Sequence, residues 1–341
     1  MTGALTAQPV AQRSARRRGA AAALAGIVVA LLLGTAPALA EPALRFVALG
    51  DMPYGHETRT GPAYRHLIEL VNAERVPFTI HVGDFKDGLT ECSDALYERQ
   101  YAYFQSYSTA LVYTPGDNDW TDCQRQHADP LERLAALRQR FFASPRSLGA
   151  QPIALQRQSE AQPAQARYPE NQRWWLQGVL FVTVHTVGPD DNAKDESPAL
   201  LREQAQREAA NIAWLQAAFD LARRQSARAV VVATQADPFK DGRWPGEAPV
   251  VRKPFRRLLS DTLLPLATAS RLPVLFIHGD SHHFISDQPF TDAQGRRLPG
   301  LWRLQVPGEE RMHAVLVSVE PGAAQPFKLR LIWNPMSPSP Q

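Results

Sequence analysis

The sequence lacks a low-complexity linker, an internal repeat and a coiled-coil heptad pattern. In a chain of this length, their absence favours one large domain over several small ones. No obvious interface stripe is present either, so the sequence gives no indication of the oligomeric state.

Positive and negative charges nearly balance in this sequence. The formal net charge is +3 at pH 7 for the whole chain, and it becomes about −1 without residues 1–40, which hold four arginines and no acid. The other arginine pairs are scattered along the chain, as is typical of solvated helix and loop faces. We therefore expect neither a nucleic-acid partner nor a membrane partner.

A long apolar run occurs at one place, from Gly19 to Leu33, directly after Arg16, Arg17 and Arg18. Its strongly apolar core of about 14 residues is shorter than the roughly 20 that span a bilayer. The small-x-small segment that ends at Ala40 fits cleavage by a signal peptidase. We expect residues 1–40 to be a signal peptide and the mature chain, 41–341, to be periplasmic or secreted without a membrane anchor. An uncleaved anchor is the alternative.

Cysteine is scarce, with Cys92 and Cys123 as its two occurrences. No cysteine stands directly after the expected cleavage point, which argues against a lipoprotein. In an oxidising compartment an even pair favours a disulfide. We expect a Cys92–Cys123 bridge, and two buried thiols are the alternative.

The apolar segments that are present follow a repeated strand–helix pattern and then a strand-rich end. A Gln- and Pro-rich segment, 144–171, is expected to be an insertion over the surface. Predicted helices cover 64–74, 130–142, 198–224 and 255–269. Predicted strands cover 44–49, 78–82, 110–114, 174–177, 179–187, 229–234, 273–278, 313–320 and 327–333.

Four of these strands run into a Gly-Asp pair, which gives Asp51, Asp84, Asp117 and Asp280. A single Gly-Asp pair after a strand is an ordinary turn. In an open α/β sheet, however, ligands bind beyond the carboxyl ends of the strands, so four such carboxylates are expected to converge. Crowded carboxylates repel one another unless a cation neutralises them. The pattern therefore predicts a metal site.

In their order, these segments resemble the motifs of the calcineurin-like metallophosphoesterases: D-x-H, G-D-x-x-D, G-N-H-[DE], a lone His after a strand, and G-H-x-H. The resemblance extends over nearly the whole mature chain and indicates a divergent, exported, bacterial-type member. It implies an α/β/β/α sandwich with mixed sheets and a metal site at the carboxyl ends of the strands. The matching segments are Asp51-Met52-Pro53, Gly83-Asp84-Phe85-Lys86-Asp87, Gly116-Asp117-Asn118-Asp119, Gln235 and Gly279-Asp280-Ser281-His282.

The resemblance also implies the metal ligands. A first ion would take Asp51, Asp84 and His282, whereas Pro53 stands where the family has a histidine ligand. The ligands implied for a second ion are Asp84, Asp117, Gln235 and Asp280. Because oxygen donors replace imidazoles, one or two ions of Mg²⁺, Mn²⁺ or Ca²⁺ are expected rather than Zn²⁺ or iron.

For the reaction, the resemblance implies that a metal-activated hydroxide hydrolyses a small phosphomonoester or phosphodiester. Asn118 stands at the position of the family's general-acid histidine, and an amide cannot donate a proton at neutral pH. His283, His185 and Asp119 are the candidate replacements. Their alternatives are a neighbour of the metal ligands, a hydrogen-bonded histidine at a strand end, and a loop cap.

Three residues near the motifs are candidates for substrate binding. Tyr54 and Trp120 could stack on an organic group or wall off the metal site, and Lys86 could hold a phosphate oxygen or be an exposed loop lysine. Asp237 and the polar loop 188–192 could join the site or be turn formers.

Two functions therefore remain open. One is a metal-dependent phosphoesterase of the cell envelope, and the other is a non-catalytic relative that binds a phosphorylated or polyol ligand or an envelope partner. An iron site of the purple acid phosphatase type is set aside, because Asp87 stands where that site needs a tyrosine ligand.

Overall fold

The computed structural model describes residues 43–195, 197–240, 249–292 and 294–338. The expected signal peptide, 1–40, lies outside the described residues. Within those ranges, no helix combines the length and the apolar character needed to cross a membrane.

The described strands and helices follow one another in the predicted alternation. The helices are α1 (Glu57–Ala73), α2 (Asp94–Gln105), α3 (Pro130–Phe141), α4 (Gln158–Ala161), α5 (Pro198–Arg224) and α6 (Leu264–Ser270). The strands are β1 (Leu44–Leu49), β2 (Phe78–His81), β3 (Ala110–Tyr113), β4 (Gln156–Arg157), β5 (Gln172–Leu176), β6 (Val179–Thr183), β7 (Ala229–Ala233), β8 (Phe239–Lys240), β9 (Val250–Val251), β10 (Val274–His278), β11 (Ile285–Asp287), β12 (Leu301–Gln305), β13 (Ala314–Val319) and β14 (Phe327–Ile332).

Two mixed sheets hold most of the strands. One has the order β14-β13-β1-β2-β3, with β1, β2 and β3 parallel and β13 and β14 antiparallel. The other has the order β11-β12-β10-β7-β6-β5-β4, with β6, β7, β10 and β12 parallel. Parallel neighbours need a crossover connection, which α1 supplies between β1 and β2, and α5 supplies between β6 and β7.

The two sheets pack face to face. Phe46 of β1 and Phe78 of β2 lie in T-shaped contact with Phe181 of β6, with ring centroids 5.3 and 4.8 Å apart. Successive side chains of a strand point to opposite faces, so Val47 and Leu49 belong to a second core under the helices. The interior between the sheets is accordingly aromatic and aliphatic.

Helices cover the outer face of each sheet. Helices α1, α2 and α3 pack on the first sheet, as the buried side chains of Tyr64, Phe104 and Leu137 show. Helices α5 and α6 cover the second sheet, with Trp214 and Ala267 in its outer core. The fold is therefore the α/β/β/α sandwich with mixed sheets that the resemblance implies, and this prediction is confirmed.

The segment 144–171 runs along the edges of both sheets. Leu148 pairs with Leu111 of β3, and β4 pairs with β5. Leu155 and Tyr168 are buried. Its assignment as an insertion stays a prediction.

Three differences from the predicted elements stand out. Helix α1 begins at Glu57 rather than near residue 64, with the side chain of His56 accepting a hydrogen bond from Thr58 N at its start. The Gly61-Pro62 pair resembles a turn and hides this first part of the helix. Helix α2 and strands β11 and β12 were not predicted.

Candidate functional site

The turns after β1, β2 and β10 lie side by side. The main-chain N–H of Asp51 donates to Gly83 O at 2.8 Å, and that of Asp280 donates to Asp51 Oδ1 at 3.0 Å. Asp51, Asp84 and Asp280 all adopt positive φ angles, of 54°, 56° and 73°. Asp tolerates this left-handed region better than most residues, so each strand can stop abruptly and present a carboxylate.

Glycines make room for these carboxylates. A Cβ atom added to Gly116 would lie 1.9 Å from Asp84 Oδ1, and one added to Gly279 would lie 2.1 Å from Asp51 Oδ2. At Gly188, in the polar loop after β6, the added atom would lie 2.3 Å from Asp280 Oδ1. The chain therefore approaches each carboxylate more closely than any side chain would allow.

Asp84 is the hydrogen-bond centre of the site. Its Oδ2 accepts hydrogen bonds from Tyr54 OH at 2.9 Å, Asn118 Nδ2 at 2.8 Å and Gln235 Nε2 at 3.1 Å. Its Oδ1 accepts from the main-chain N–H of Asn118 at 3.1 Å. Asn118 thus orients a carboxylate, as its amide chemistry allows.

The carboxylates raise one another's pKa values. Burial raises the pKa of Asp51, Asp84 and Asp117 well above the usual range, and the neighbouring carboxylates raise each of them further. Burial also raises the pKa of Asp280 to about 6. The structure therefore brings the four strand-end aspartates close enough to repel one another when ionised.

Two oxygens of this group have no hydrogen-bond partner among the described residues. They are Oδ2 of Asp51 and Oδ1 of Asp117, and both are buried. A buried acceptor without a donor costs about 1–3 kcal/mol, and more when it is charged. Both oxygens are hard donors of the kind that Mg²⁺, Mn²⁺ and Ca²⁺ prefer.

In the part of the chain that the structure describes, however, no group of three or more His, Cys, Asp or Glu side chains is arranged so that it could hold a metal ion. Asp84 Oδ2, which the resemblance assigns to both ions, faces three hydrogen-bond donors instead. Asp51 and Asp117 therefore fit a cation with the oxygens they leave unpaired, and Asp84 fits one once a donor moves aside.

The remaining predicted ligands border this centre. The Oε1 atom of Gln235 accepts from Gly188 N at 2.8 Å. His282 lies edge-on to the ring of Tyr54, with 5.3 Å between the centroids, and its Nδ1 is 3.3 Å from Oε2 of Glu309. Partial burial lowers the pKa of His282, which favours the neutral imidazole that binds metals.

His185 is held away from the carboxylates. Its Nδ1 lies 2.9 Å from Oε1 of Glu170, and its Nε2 accepts from the indole N–H of Trp120 at 3.1 Å. Because Nε2 is an acceptor here, Nδ1 carries the proton and donates a hydrogen bond to Glu170. Burial lowers the pKa of this ring. Both His185 and Trp120 are fully buried, so the Trp120 ring has no exposed face on which an organic group could stack.

Asp119 clamps the turns that carry the other acids. Its carboxylate accepts from the main-chain N–H groups of Asp84, Phe85 and Gly116, and from Tyr113 OH, at 2.6–3.0 Å. Both oxygens of the Asp119 carboxylate are therefore used to hold the fold together. His283, the remaining candidate for proton donation, is exposed.

Lys86 and Tyr54 occupy different environments. Lys86 is 2% exposed and its Nζ donates to Asp87 O at 2.9 Å. Burial lowers the pKa of Lys86, and the surrounding aspartates raise it in part. Tyr54 is partly exposed, with its hydroxyl between Asp84 and Asn118.

Asp237, weighed from the sequence as a site residue, supports Asp280. Its main-chain N–H donates to Asp280 Oδ2 at 3.1 Å, and its own Oδ2 accepts from Ser281 OH at 2.5 Å.

The predicted disulfide between Cys92 and Cys123 is present, with the two Cα atoms 5.6 Å apart. It joins the segment before α2 to the short 3-10 helix Thr121–Gln126. The bridge therefore fastens together the regions that follow the second and third Gly-Asp pairs.

Two supporting histidines were missed in the sequence. The Nδ1 atom of His81 accepts from Gly83 N at 3.2 Å, and its Nε2 faces Met52 O at 3.3 Å. His278 is likewise buried at the end of β10. The sequence carried a signal for both histidines. A polar ring in a buried strand just before a Gly-Asp turn, as in His81-Val82-Gly83 and His278-Gly279, needs a hydrogen-bond partner in that turn.

No protein-family model and no curated protein matches the chain. Solved structures with a similar course of the chain include a dimetal phosphatase from Danio rerio, 14% identical with a TM-score of 0.47, over 86% of this chain and 100% of that one. GAP50, the anchor in the inner membrane complex of Plasmodium, is 12% identical with a TM-score of 0.45, over 84% and 88%. A purple acid phosphatase from yellow lupin is 11% identical with a TM-score of 0.43, over 85% and 52%.

Proposed function

We propose that this chain is a calcineurin-like metallophosphoesterase that hydrolyses a phosphomonoester or phosphodiester with a divalent cation bound at the strand ends. The observation that carries the proposal is the pair of unpaired, buried oxygens on Asp51 and Asp117, set among other carboxylates. The ionised forms of these carboxylates are costly in a buried place, which is why their pKa values are raised. One or two cations bound to their free oxygens would offset that cost.

The proposed ligands are those that the resemblance implies. Asp51 and Asp117 contribute their free oxygens, and the other ligands are Asp84, Asp280, Gln235 and His282. The five oxygen-bearing side chains favour Mg²⁺, Mn²⁺ or Ca²⁺. When bound, the cation would supply Lewis-acid activation of water and neutralise charge on the phosphoryl group.

The chain's own residues orient the reacting groups. Tyr54 and Asn118 hold Asp84 Oδ2 through a shared set of hydrogen bonds, and Gln235 holds it from the other sheet. The polar atoms of His185 and Asp119 are engaged elsewhere. We therefore assign proton donation to the leaving oxygen to His283 or to solvent, with a loss of rate relative to a buried acid.

A non-catalytic role is the second candidate, and one observation favours it. Three protein donors already satisfy Asp84 Oδ2, as expected of a carboxylate that the fold uses without a metal. In that case the site would bind a phosphorylated or polyol ligand, or an envelope partner, without turning it over.

The cell envelope is the proposed location. The disulfide between Cys92 and Cys123 fits an oxidising compartment. The N-terminal segment with its arginines and apolar run supports export. The substrate would then be a small phosphoester of that compartment.

Turnover of an aryl phosphate and a bis-aryl phosphate tests the proposal. The purified protein is stripped with a chelator, and Mg²⁺, Mn²⁺, Ca²⁺ or Zn²⁺ is added back. We expect one hard cation to restore turnover, and we expect Asp84→Asn to lose it by at least about 100-fold, because the carboxylate shared by both ion sites is gone. Asp220→Asn, an exposed acid near the end of α5, is the matched control and keeps full turnover.

Each other outcome has a clear meaning. If no cation restores turnover but one raises the melting temperature, and raises it less in Asp84→Asn, the non-catalytic role is supported. If no cation changes either quantity, the metal site itself is contradicted.

A further inference from the structure

A basic groove lies beside the carboxylates, on the loops that follow β6 and β7. It has a volume of about 670 Å³. The ion pair between Lys194 Nζ and Asp190 Oδ2, at 2.5 Å, neutralises one of its cations. Lys240 and Lys253 are exposed. The charged side chains that line the basic groove are Lys194, Lys240, Arg252, Lys253 and Asp190.

This excess of positive charge is local. Without residues 1–40 the chain carries about one net negative charge, and the neighbouring strand ends carry aspartates rather than basic residues. A groove lined by four basic side chains and one acidic side chain is therefore not expected from the overall composition. Lysine side chains arranged around a groove bind phosphate as point charges.

The groove and the carboxylate site share their loops. Gly188 contacts the site, because its N–H donates to Gln235 Oε1 at 2.8 Å. Asp190, which lines the groove, is two residues further, a distance of at most about 7 Å along an extended chain. Arg252 fixes this loop by donating from Nη1 to Pro189 O at 3.1 Å.

The second shared element is the segment after β7. Asp237 N–H donates to Asp280 Oδ2 on the site side, and three residues later Lys240 of β8 lines the groove. Strand β9 pairs with β8, and its end leads into Arg252 and Lys253. The groove and the carboxylate site are therefore built on the same two segments.

We propose that the basic groove binds a second phosphate of the substrate, so that the substrate class is an organic bisphosphate whose first phosphate lies at the strand-end carboxylates. This inference rests on the proposed function, since it takes the carboxylate site as the place of the first phosphate. A single phosphate would leave Lys240 and Lys253 without a role. Two phosphates joined by a short spacer meet both sites, and the joined pair gains from effective concentration.

Isothermal titration in Mg²⁺ with non-hydrolysable probes tests this assignment. The probes are butane-1,4-diyl bisphosphonate, butylphosphonate, inorganic phosphate, and an equimolar mixture of the last two. We expect the protein to bind the bisphosphonate at least about tenfold more tightly than butylphosphonate, as one extra charge-assisted contact provides. The Lys240→Ala/Lys253→Ala variant is expected to lose that gain and to bind butylphosphonate as before.

The Arg223→Ala/Arg224→Ala variant is the matched control. These arginines lie at the end of α5, before β7 begins. Their loss removes the same charge, and the tighter binding of the bisphosphonate is expected to remain. Unchanged melting temperatures of both variants show that the fold persists.

Five results would overturn the assignment or separate it from the proposed function. Equal affinity for the two phosphonates, or a gain that survives in the lysine variant, overturns it. If inorganic phosphate binds through the lysines but the bisphosphonate binds no more tightly than butylphosphonate, the groove is a site for free phosphate. That result also overturns the assignment. A bisphosphonate that binds through the lysines while butylphosphonate does not bind supports the groove and contradicts the proposed function. Binding of neither probe contradicts both.

Discussion

Gly116 shows that the glycine of a Gly-Asp pair can be needed for the space it leaves to a carboxylate, rather than for the backbone conformation of the turn. A Cβ atom there would lie 1.9 Å from Asp84 Oδ1 and 2.7 Å from Gln235 Cγ. A hydrogen bond from Gln235 Nε2 to Asp84 Oδ2, at 3.1 Å, holds these two neighbours together. The residue is therefore small because two functional side chains occupy the adjacent space.

Gly116→Ala is expected to lower the free energy of unfolding by about 1–3 kcal/mol, the usual cost of overpacking. It should also weaken cation binding, because Asp84 is displaced. Gly300→Ala is the matched control: the added atom there would lie 3.6 Å from Leu272 O, an ordinary contact. Urea unfolding measures both variants, and equal effects at the two positions would contradict the role given to Gly116.

Asp84 and Asp119 come from the neighbouring turns after β2 and β3, and their carboxylates have different roles. Asp119 accepts donors of the main chain and holds the turn. Asp84, so positioned, meets Tyr54, Asn118 and Gln235. A sequence shows both as acids after a strand, and the difference between them arises only when the donors around each oxygen are known.

At the scale of elements, a buried charged network joins α3 and α5 to the strand ends. Arg138 of α3 donates to Glu170, and Glu170 also accepts a hydrogen bond from His185 Nδ1. Arg207 of α5 donates to His185 O at 3.1 Å. Burial raises the pKa of Glu170, but Arg138 and His185 outweigh it, and the pKa falls to about 2. The carboxylate is therefore charged in the folded protein across the physiological range.

Glu170→Gln is expected to lower the free energy of unfolding by about 3–5 kcal/mol at pH 7, because it leaves the Arg138 charge largely buried without its partner. The pKa of Glu170 is lower in the folded than in the unfolded chain, so its stabilisation is complete above about pH 4.5 and is lost as the pH falls towards 2. The difference in stability between wild type and variant should shrink over that window.

Urea unfolding between pH 2.5 and 7 measures this difference. Glu98→Gln removes an exposed partner of Arg140 and should cost no more than about 1 kcal/mol. A cost at Glu170 that is equally small, or that does not change with pH, would contradict the network.

Elements with a regular apolar pattern could be predicted from the sequence. The predicted bounds of β1 and α5 agree with the structure, because β1 keeps an apolar run from Phe46 to Leu49 after the exposed Arg45, and α5 carries a long amphipathic pattern. Helix α2 was missed because tyrosines rather than aliphatic residues form much of its buried face. Strand β12 was missed because Arg303, which pairs with Asp287, interrupts its apolar residues.

For the site, the convergence of strand ends could be predicted and the side-chain environments could not. Parallel strands place their carboxyl ends at one edge, which brings Asp51, Asp84 and Asp280 together. Whether Lys86, Trp120 and His185 face that edge or the interior depends on packing between helices and sheets. All three are buried, and no local pattern in the sequence distinguishes the two outcomes.

For the whole molecule, the disulfide closes a segment of 31 residues that includes β3 and α2. Reduction, or Cys92→Ser/Cys123→Ser, is expected to lower the free energy of unfolding by about 3–4 kcal/mol through the freedom that it returns to the unfolded chain. Intact mass after alkylation checks the bridge, and urea unfolding with and without reductant measures its effect. Two cysteines alkylated without reductant, or unchanged stability on reduction, would contradict this prediction.

At the same scale, the divalent cation of the proposed phosphoesterase would lie where the two sheets meet. Asp51 and Asp84 come from the first sheet, and Gln235 and Asp280 come from the second. A cation would therefore join the two sheets at their carboxyl ends. Its removal with a chelator is expected to lower the melting temperature, by the linkage between binding and stability.

Titration of the chelator-stripped protein with Mg²⁺, Mn²⁺ and Ca²⁺ tests the metal site most directly, by affinity and by the number of ions bound. We predict one or two bound ions, an affinity at least about tenfold weaker in Asp51→Asn and Asp117→Asn, and an unchanged affinity in Asp220→Asn, whose carboxylate is exposed. Absence of binding in the wild type, or equal affinity in all four proteins, would contradict the account.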